Sequence, residues 1–227
     1  DNLDNIYHKE KNYSELTFHY WFWKNQLPSK DDNTWIGFCQ KRRFWRAEKN
    51  HTNDYNILDV ILKDTPDEWK NCEAVICEPI YLGTKLSKLL KRGWKNVINK
   101  PSLLFSHKEI SVKIQFDMHH GYGVLDRAID VMDIKDRDDF RNFVNTKNFY
   151  NPHIMFISKK KTLNRFFQDQ FDWLTKCEKI FGFNKLKNYD QTRLYAFLAE
   201  RFVSFWYKKY SKSIEWPWVF FENKEKE

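Results

Sequence analysis

The chain has 227 residues, of which 41% are hydrophobic and 31% charged, with a net charge of +8. That suffices for one large α/β domain or two small ones with a real core, and excludes a disordered chain. The charge favours an anionic partner, whether nucleic acid, a membrane surface, nucleotide phosphates or an acidic glycan.

In chain order, "YSELTFHYWFWKN" (13 to 25) has helical spacing, with Leu16, His19, Tyr20 and Trp23 on one face. Ser14 is its expected N-cap, and Pro28 stops it. "TWIGFCQKRRFW" (34 to 45) opens as a buried strand over 35 to 39 and runs straight into Lys41, Arg42 and Arg43. Residues 46 to 72 read as loop with a short amphipathic helix through "NILDVILK". "EAVICEPI" (73 to 80) is a second strand, closed by Pro79. "TKLSKLLKRGW" (84 to 94) is a short basic helix ending at Gly93.

"SVKIQFDMHHGYGVLDRAIDVMD" is expected to begin extended or irregular and to become helical, with Leu125, Ile129 and Met132 on one side. "HIMFIS" (153 to 158) is a third strand. A helix over 159 to 181 follows, with Leu163, Phe166, Phe167, Leu174 and Phe181 as its apolar stripe, Ser158 as cap and Gly182 as stop. A last helix runs from about 190 to 210 through "TRLYAFLAERFVSFWYKKY". Alternating strands and helices predict an α/β domain with a mainly parallel sheet flanked by helices. One domain over 1–222 is expected, with 223–227 as a solvated tail.

Aromatics reach 18%, and the tryptophans fall mostly at core spacing. With 6 Gly and 6 Pro the chain has no flexible linker. Cys39, Cys72, Cys77 and Cys177 lack a framework spacing and read as reduced, buried thiols. No apolar run reaches the roughly eighteen residues of a membrane span, and no signal-like segment opens the chain. A start at Asp1 rather than Met suggests a fragment or a processed product.

Several residues carry chemistry, each with a plainer alternative. Lys41, Arg42 and Arg43 suit phosphate oxygens, or form a solvated strand end with arginines stacked on Trp35 or Trp45. His119 and His120 stand beside Asp117 and ahead of Gly121 and Gly123; they form a ligand loop, a metal site with Asp117, or hydrogen-bonded loop histidines. Asp117 and Glu200 are the carboxylates available as general base, although Glu200 equally suits an ion pair with Arg201 or Arg193 or a bond to loop backbone. Glu15 serves the dipole of the first helix, or orients Arg42 or Arg43.

"DNIYHKEKNYSELTFHYWFWKN", "WIGFCQKRRFW", "QFDMHHGYGVLDRAI", "HIMFIS" and "RLYAFLAERFVSFW" stand in the order found in a bacterial capsular-polysaccharide glycosyltransferase family, long catalogued as a domain of unknown function. Most of the chain resembles that family. It departs at Gln40-Lys41, where the family has His-Tyr, and at Ile154, where the family has Asn, with His153 just before it. Family members also carry a strand–helix unit ahead of the first motif. Its lack here implies a truncated chain or an incomplete donor site.

The resemblance implies a nucleotide-sugar (GT-A-like) fold without its first strand–helix unit. It implies a hexosyltransferase acting from a nucleotide diphosphate sugar on a capsular or other surface polysaccharide or a lipid-linked glycan. Lys41, Arg42 and Arg43 then occupy the place of the metal-binding Asp-x-Asp and hold the donor diphosphate, with no metal required; a divalent metal at Asp117 is the less favoured reading. His120 aligns with the family histidine and joins Asp117 and Glu200 as a catalytic candidate. Trp45, His119 and His153 are the expected sugar or acceptor contacts. The implied location is cytoplasmic, at the inner face of the membrane, with peripheral membrane contact. The other functions open to this sequence are a nucleic-acid or anionic-glycan binding module and an inactive, truncated homologue. The cations lie among 31 acids without an RNA-binding signature, which weighs against nucleic acid.

Overall fold

The computed structural model describes residues 3–49, 56–184, 186 and 188–221. The first helical stretch is two helices, α1 (Glu10–Tyr13) and α2 (Leu16–Asn25). Ser14 is not a cap: it takes φ +52° at the break between them, and its hydroxyl accepts from Arg193. Leu16, His19 and Trp23 are buried, as their spacing predicts. Then come β1 (Trp35–Gly37), β2 (Arg43–Trp45), α3 (Ile57–Val60) and β3 (Ala74–Cys77).

After the two-residue β4 (Ile80–Tyr81) the chain makes six helices: α4 (Leu86–Arg92), α5 (Trp94–Asn99), α6 (Leu103–Ser106), α7 (Val112–His120), α8 (Val124–Asp130) and α9 (Ile134–Thr146). The stretch expected to begin irregularly is helical from Val112, because the Ser111 hydroxyl accepts from the Ile114 N–H and caps α7. β5 (Phe149–Tyr150) pairs with β4. β6 (Phe156–Lys159) leads without a loop into α10 (Lys160–Phe181). Ser158 lies inside β6 and caps nothing, while Gly182 ends α10 at φ +59°. The chain closes with α11 (Asn188–Thr192), α12 (Leu194–Tyr210), β7 (Ser213–Trp216) and β8 (Trp218–Phe220). The tail expectation at 223–227 lies outside the described residues.

The central sheet has the order β1-β6-β3-β7. It is mixed rather than mainly parallel. β6 runs antiparallel to both β1 and β3, and only β3 and β7 are parallel. Alternating elements predict a mainly parallel sheet, but six helices and two short strands separate β3 from β6. The chain therefore returns in the opposite direction.

Both faces of β3 are buried, which suits its unbroken apolar run. Ala74 and Ile76 face the helices, where Phe156 meets Phe166, Phe167 and Tyr207 of α10 and α12. Val75 and Cys77 face a second core built around Trp45, Trp69 and Trp216. Trp69 and Trp216 meet edge to face at 5.3 Å. The Trp216 indole donates to the Arg46 carbonyl (2.8 Å), so burial leaves that polar edge satisfied.

Candidate functional site

Past the end of β1, the chain turns back through Gln40 and Arg43, whose backbones exchange hydrogen bonds in both directions at 3.3 and 3.2 Å. That leaves Lys41 and Arg42 as the two residues of a hairpin tip. Both are exposed; Arg43 is half-buried. β2 then pairs with β8 in a register that sets Arg43 against Phe220. The Arg42 and Arg43 guanidinium groups lie 5.2 and 5.3 Å from the Phe220 ring, and Arg43 is 5.9 Å from Trp218.

This tip walls an open cavity of about 510 Å³. Opposite it, the first turns of α12 and residues around it bring Tyr189, Arg193, Phe197 and Glu200 to the lining, and Glu15 comes from the start of α2. Four cations and two carboxylates thus meet in one cavity. The carboxylates are occupied. Glu15 accepts from Gln40 Nε2 (2.9 Å) and from Arg193 Nη2 (3.1 Å). Glu200 accepts from the His153 N–H (2.8 Å) and from Arg201. Gln40 carries the link onward: its Nε2 also donates to the His153 carbonyl (2.6 Å), and its Oε1 accepts from Arg43 Nη1 (3.0 Å). Arg43 Nε is buried with no hydrogen-bond partner among the described residues.

The lining includes Ile154, the second of two residues in left-handed backbone: His153 has φ +79° and Ile154 φ +50°. Such a conformation is costly for a β-branched residue. It persists because Glu200 holds the His153 N–H and Gln40 holds its carbonyl. Burial, with the Arg43 charge nearby, pushes His153 down to about 4, so its ring is neutral at pH 7.

The whole arrangement suits an anion better than a divalent cation. Each lining carboxylate is already engaged by guanidinium, amide or backbone donors, and four positive charges surround the space. Among the described residues, no three His, Cys, Asp or Glu side chains come together as a metal-ligand set.

Residues 1–212 match the family described as Domain of unknown function (DUF4422). The chain belongs to that family. No curated protein matches it. Its fold is similar to that of a solved structure described as the apo structure of WbbM, a bifunctional glycosyltransferase, with a TM-score of 0.67 and 17% identity. The likeness covers 98% of this chain and 39% of that one, so the DUF4422 chain spans well under half the length of the solved protein.

Of the residues singled out in sequence, this DUF4422 domain brings Lys41, Arg42, Arg43 and Glu200 to one cavity. His153 sits behind it, its ring edge-on to Trp218 at 4.4 Å. Asp117, His119 and His120 are not in the lining. The buried Asp117 carboxylate accepts from Lys113 (2.7 Å) and from the Gly123 N–H (3.0 Å), which fixes the turn between α7 and α8. His119 Nδ1–H donates to the Gln115 carbonyl (2.8 Å) within α7. His120 donates to the Asp190 carbonyl (2.8 Å) and stacks on Phe197 at 4.1 Å; burial pushes it down to about 3. Trp45 offers no ring face to a sugar: it is buried in the tryptophan core with its indole on the Phe38 carbonyl (3.1 Å).

Cys39, expected as a buried thiol, is exposed and lines the cavity, whereas the other three cysteines are buried. Arg193 is the lining cation that charge reading missed, since it was considered only as a partner for Glu200. Its spacing carried a signal: Arg193, Ala196, Phe197 and Glu200 fall on one helical face, and all four line the cavity.

Proposed function

We propose that this DUF4422 domain is a glycosyltransferase that moves a hexose from a nucleotide diphosphate sugar to a capsular or other surface polysaccharide. The observation that supports this most is the meeting of Lys41, Arg42, Arg43 and Arg193 on one cavity, in a fold similar to that of a glycosyltransferase. The acceptor hydroxyl oxygen bonds to the anomeric carbon as the bond from that carbon to the diphosphate oxygen breaks. The hydroxyl proton passes to water or to a phosphate oxygen of the leaving group, and the departing diphosphate carries negative charge. Guanidinium forks match phosphate oxygens two at a time and cannot lose their charge, so they stabilise that leaving group as it forms.

Arg42 and Arg43, with Lys41 and Arg193, take the diphosphate in this reading. Glu15, Gln40 and Glu200 position them and hold the strained turn at His153. Asp117 and His120 have no part in the step in this reading: Asp117 is engaged by Lys113 and the Gly123 N–H, and His120 by the Asp190 carbonyl and the Phe197 ring. The acceptor is a polysaccharide or lipid-linked glycan. The reaction belongs on the cytoplasmic side of the membrane, where nucleotide sugars are made.

Two experiments test the reading. Calorimetric titration of the protein with nucleoside diphosphates should give binding that survives EDTA and is lost in Arg43→Ala. A panel of nucleotide sugars offered with glycan acceptors should then give release of the nucleoside diphosphate. Binding that vanishes on chelation would overturn the assignment of the leaving-group charge to these cations. No diphosphate binding at all would overturn the transferase reading.

A further inference from the structure

The segment from Ile80 to Lys108 serves no part of the cavity, yet it holds most of the molecule's surplus charge. Lys85, Lys88, Lys91, Arg92, Lys95, Lys100 and Lys108 lie in it, and between Glu78 and Glu109 there is no acid at all. These seven cations are exposed. Of the chain's net charge of +8, the rest of the molecule therefore carries only +1.

The same segment also exposes large apolar side chains. α4 seats Leu89 in the core, and α6 seats Leu103 there. Gly93, between α4 and α5, lies so close to α7 that an added Cβ would meet Met118 at 3.1 Å and Leu89 at 2.9 Å. The inner sides of these short helices are thus committed to the body of the domain. Their outer sides present Leu86 and Leu90, four apart on α4, and Trp94 and Ile98, four apart on α5. Ile98 is 67% exposed, and Phe105 of α6 is 91% exposed. A soluble domain seldom leaves so many large apolar groups in water without a partner for them.

We infer that α4, α5 and α6 form a docking face for the surface of an anionic lipid bilayer. Lysine and arginine interleaved with Leu, Ile, Trp and Phe is the composition of an interfacial element. The cations answer anionic headgroups. Trp94 suits the headgroup level, and Phe105, Ile98 and Leu90 suit the acyl boundary. Nucleic acid would answer the charge equally well, but it has no use for exposed leucine and isoleucine. Among the described residues no helix is long and apolar enough to cross a bilayer, and the proposed contact is a peripheral one. This inference does not depend on the transferase reading.

Co-sedimentation with vesicles tests it. The full chain should bind vesicles of phosphatidylcholine mixed with phosphatidylglycerol, bind vesicles of phosphatidylcholine alone at least about tenfold more weakly, and be released by salt. Phe105→Ser and the pair Lys91→Gln with Lys95→Gln should each cut binding about tenfold. Their thermal melts should stay those of the parent, since all three side chains are exposed. Failure to bind anionic vesicles would overturn the inference, and so would binding that neither variant reduces. A random oligonucleotide bound more tightly than the vesicles, and unaffected by Phe105→Ser, would assign the face to nucleic acid instead.

Discussion

The Gln40 amide donates to the His153 carbonyl at 2.6 Å, joining two residues 113 positions apart beside the cavity. The same amide nitrogen reaches Glu15, and the amide oxygen holds Arg43. One uncharged side chain therefore orients a cation of the proposed diphosphate site and closes the strained turn beside it. Gln40→Ala should weaken nucleoside diphosphate binding about three- to tenfold, the worth of about one hydrogen bond. It should also destabilise the fold by about 1–3 kcal/mol, because partly buried partners are left unpaired. Paired calorimetric titrations and denaturant melts measure both. An unchanged affinity would mean that Arg43 does not need the link.

Arg43 itself should behave differently. Replacement by Ala should cost about 1.5–3 kcal/mol of diphosphate binding, the scale of hydrogen bonds to a charged group. Arg43→Lys should not restore it, because an ammonium lacks the paired donors of a guanidinium. The loss of stability should stay within about 1 kcal/mol, reflecting the ring contacts with Trp218 and Phe220. Strong destabilisation with unaltered affinity would make Arg43 a structural residue.

Two aromatic truncations should separate core from cavity wall. Trp23 is buried, lies parallel to Phe171 at 5.6 Å and donates to Asn164 Oδ1 (2.9 Å). Trp23→Ala should cost about 3–5 kcal/mol. Phe197 is on the apolar helix α12, yet it is half-buried and lines the cavity. Phe197→Ala should cost less, about 1–3 kcal/mol. Equal losses in urea melts would show that the cavity wall carries as much packing as the core.

Three histidines predict an acid limit on stability. Burial holds His19 at about 4, His120 at about 3 and His153 at about 4, against an ordinary value of 6.5. Unfolding exposes them, so below 6.5 the unfolded chain binds more protons than the folded one. Stability should then fall as pH drops from about 6.5 towards 4. Thermal melts across that range should show this, and His120→Phe should flatten the slope. A melting temperature constant from pH 7 to 4 would contradict it.

The long periodic helices were legible from the chain alone, because the stripes of α10 and α12 repeat over more than four turns. α9 was not: its residues are mostly charged or polar, and only Phe140 and Val144 of its apolar groups are buried. β7 and β8 were missed because each is short and Pro217 interrupts them. Strand direction was read from the order of elements, and order alone does not say which way a strand returns. In the site, the cations at 41–43 announce themselves as a run. Their supports do not, since Gln40 meets His153 and Glu15 meets Arg193 only through the tertiary fold. The resemblance carried one hint that the backbone explains. Where the family has Asn this chain has Ile154, at φ +50°, and Asn is among the residues that tolerate that conformation best.

The pairing of Glu15 with Arg193, together with the stacking of Tyr13 on Tyr195 at 4.9 Å, ties α1 and α2 to α12. β7 likewise completes the central sheet beside β3. During synthesis, then, the early helices and strands must wait on the ribosome for partners made well over a hundred residues later. Contacts so distant in sequence slow folding and leave apolar surface exposed in the interval. A cavity walled from both ends of the chain can therefore close only after α12 and the strands behind it have been made.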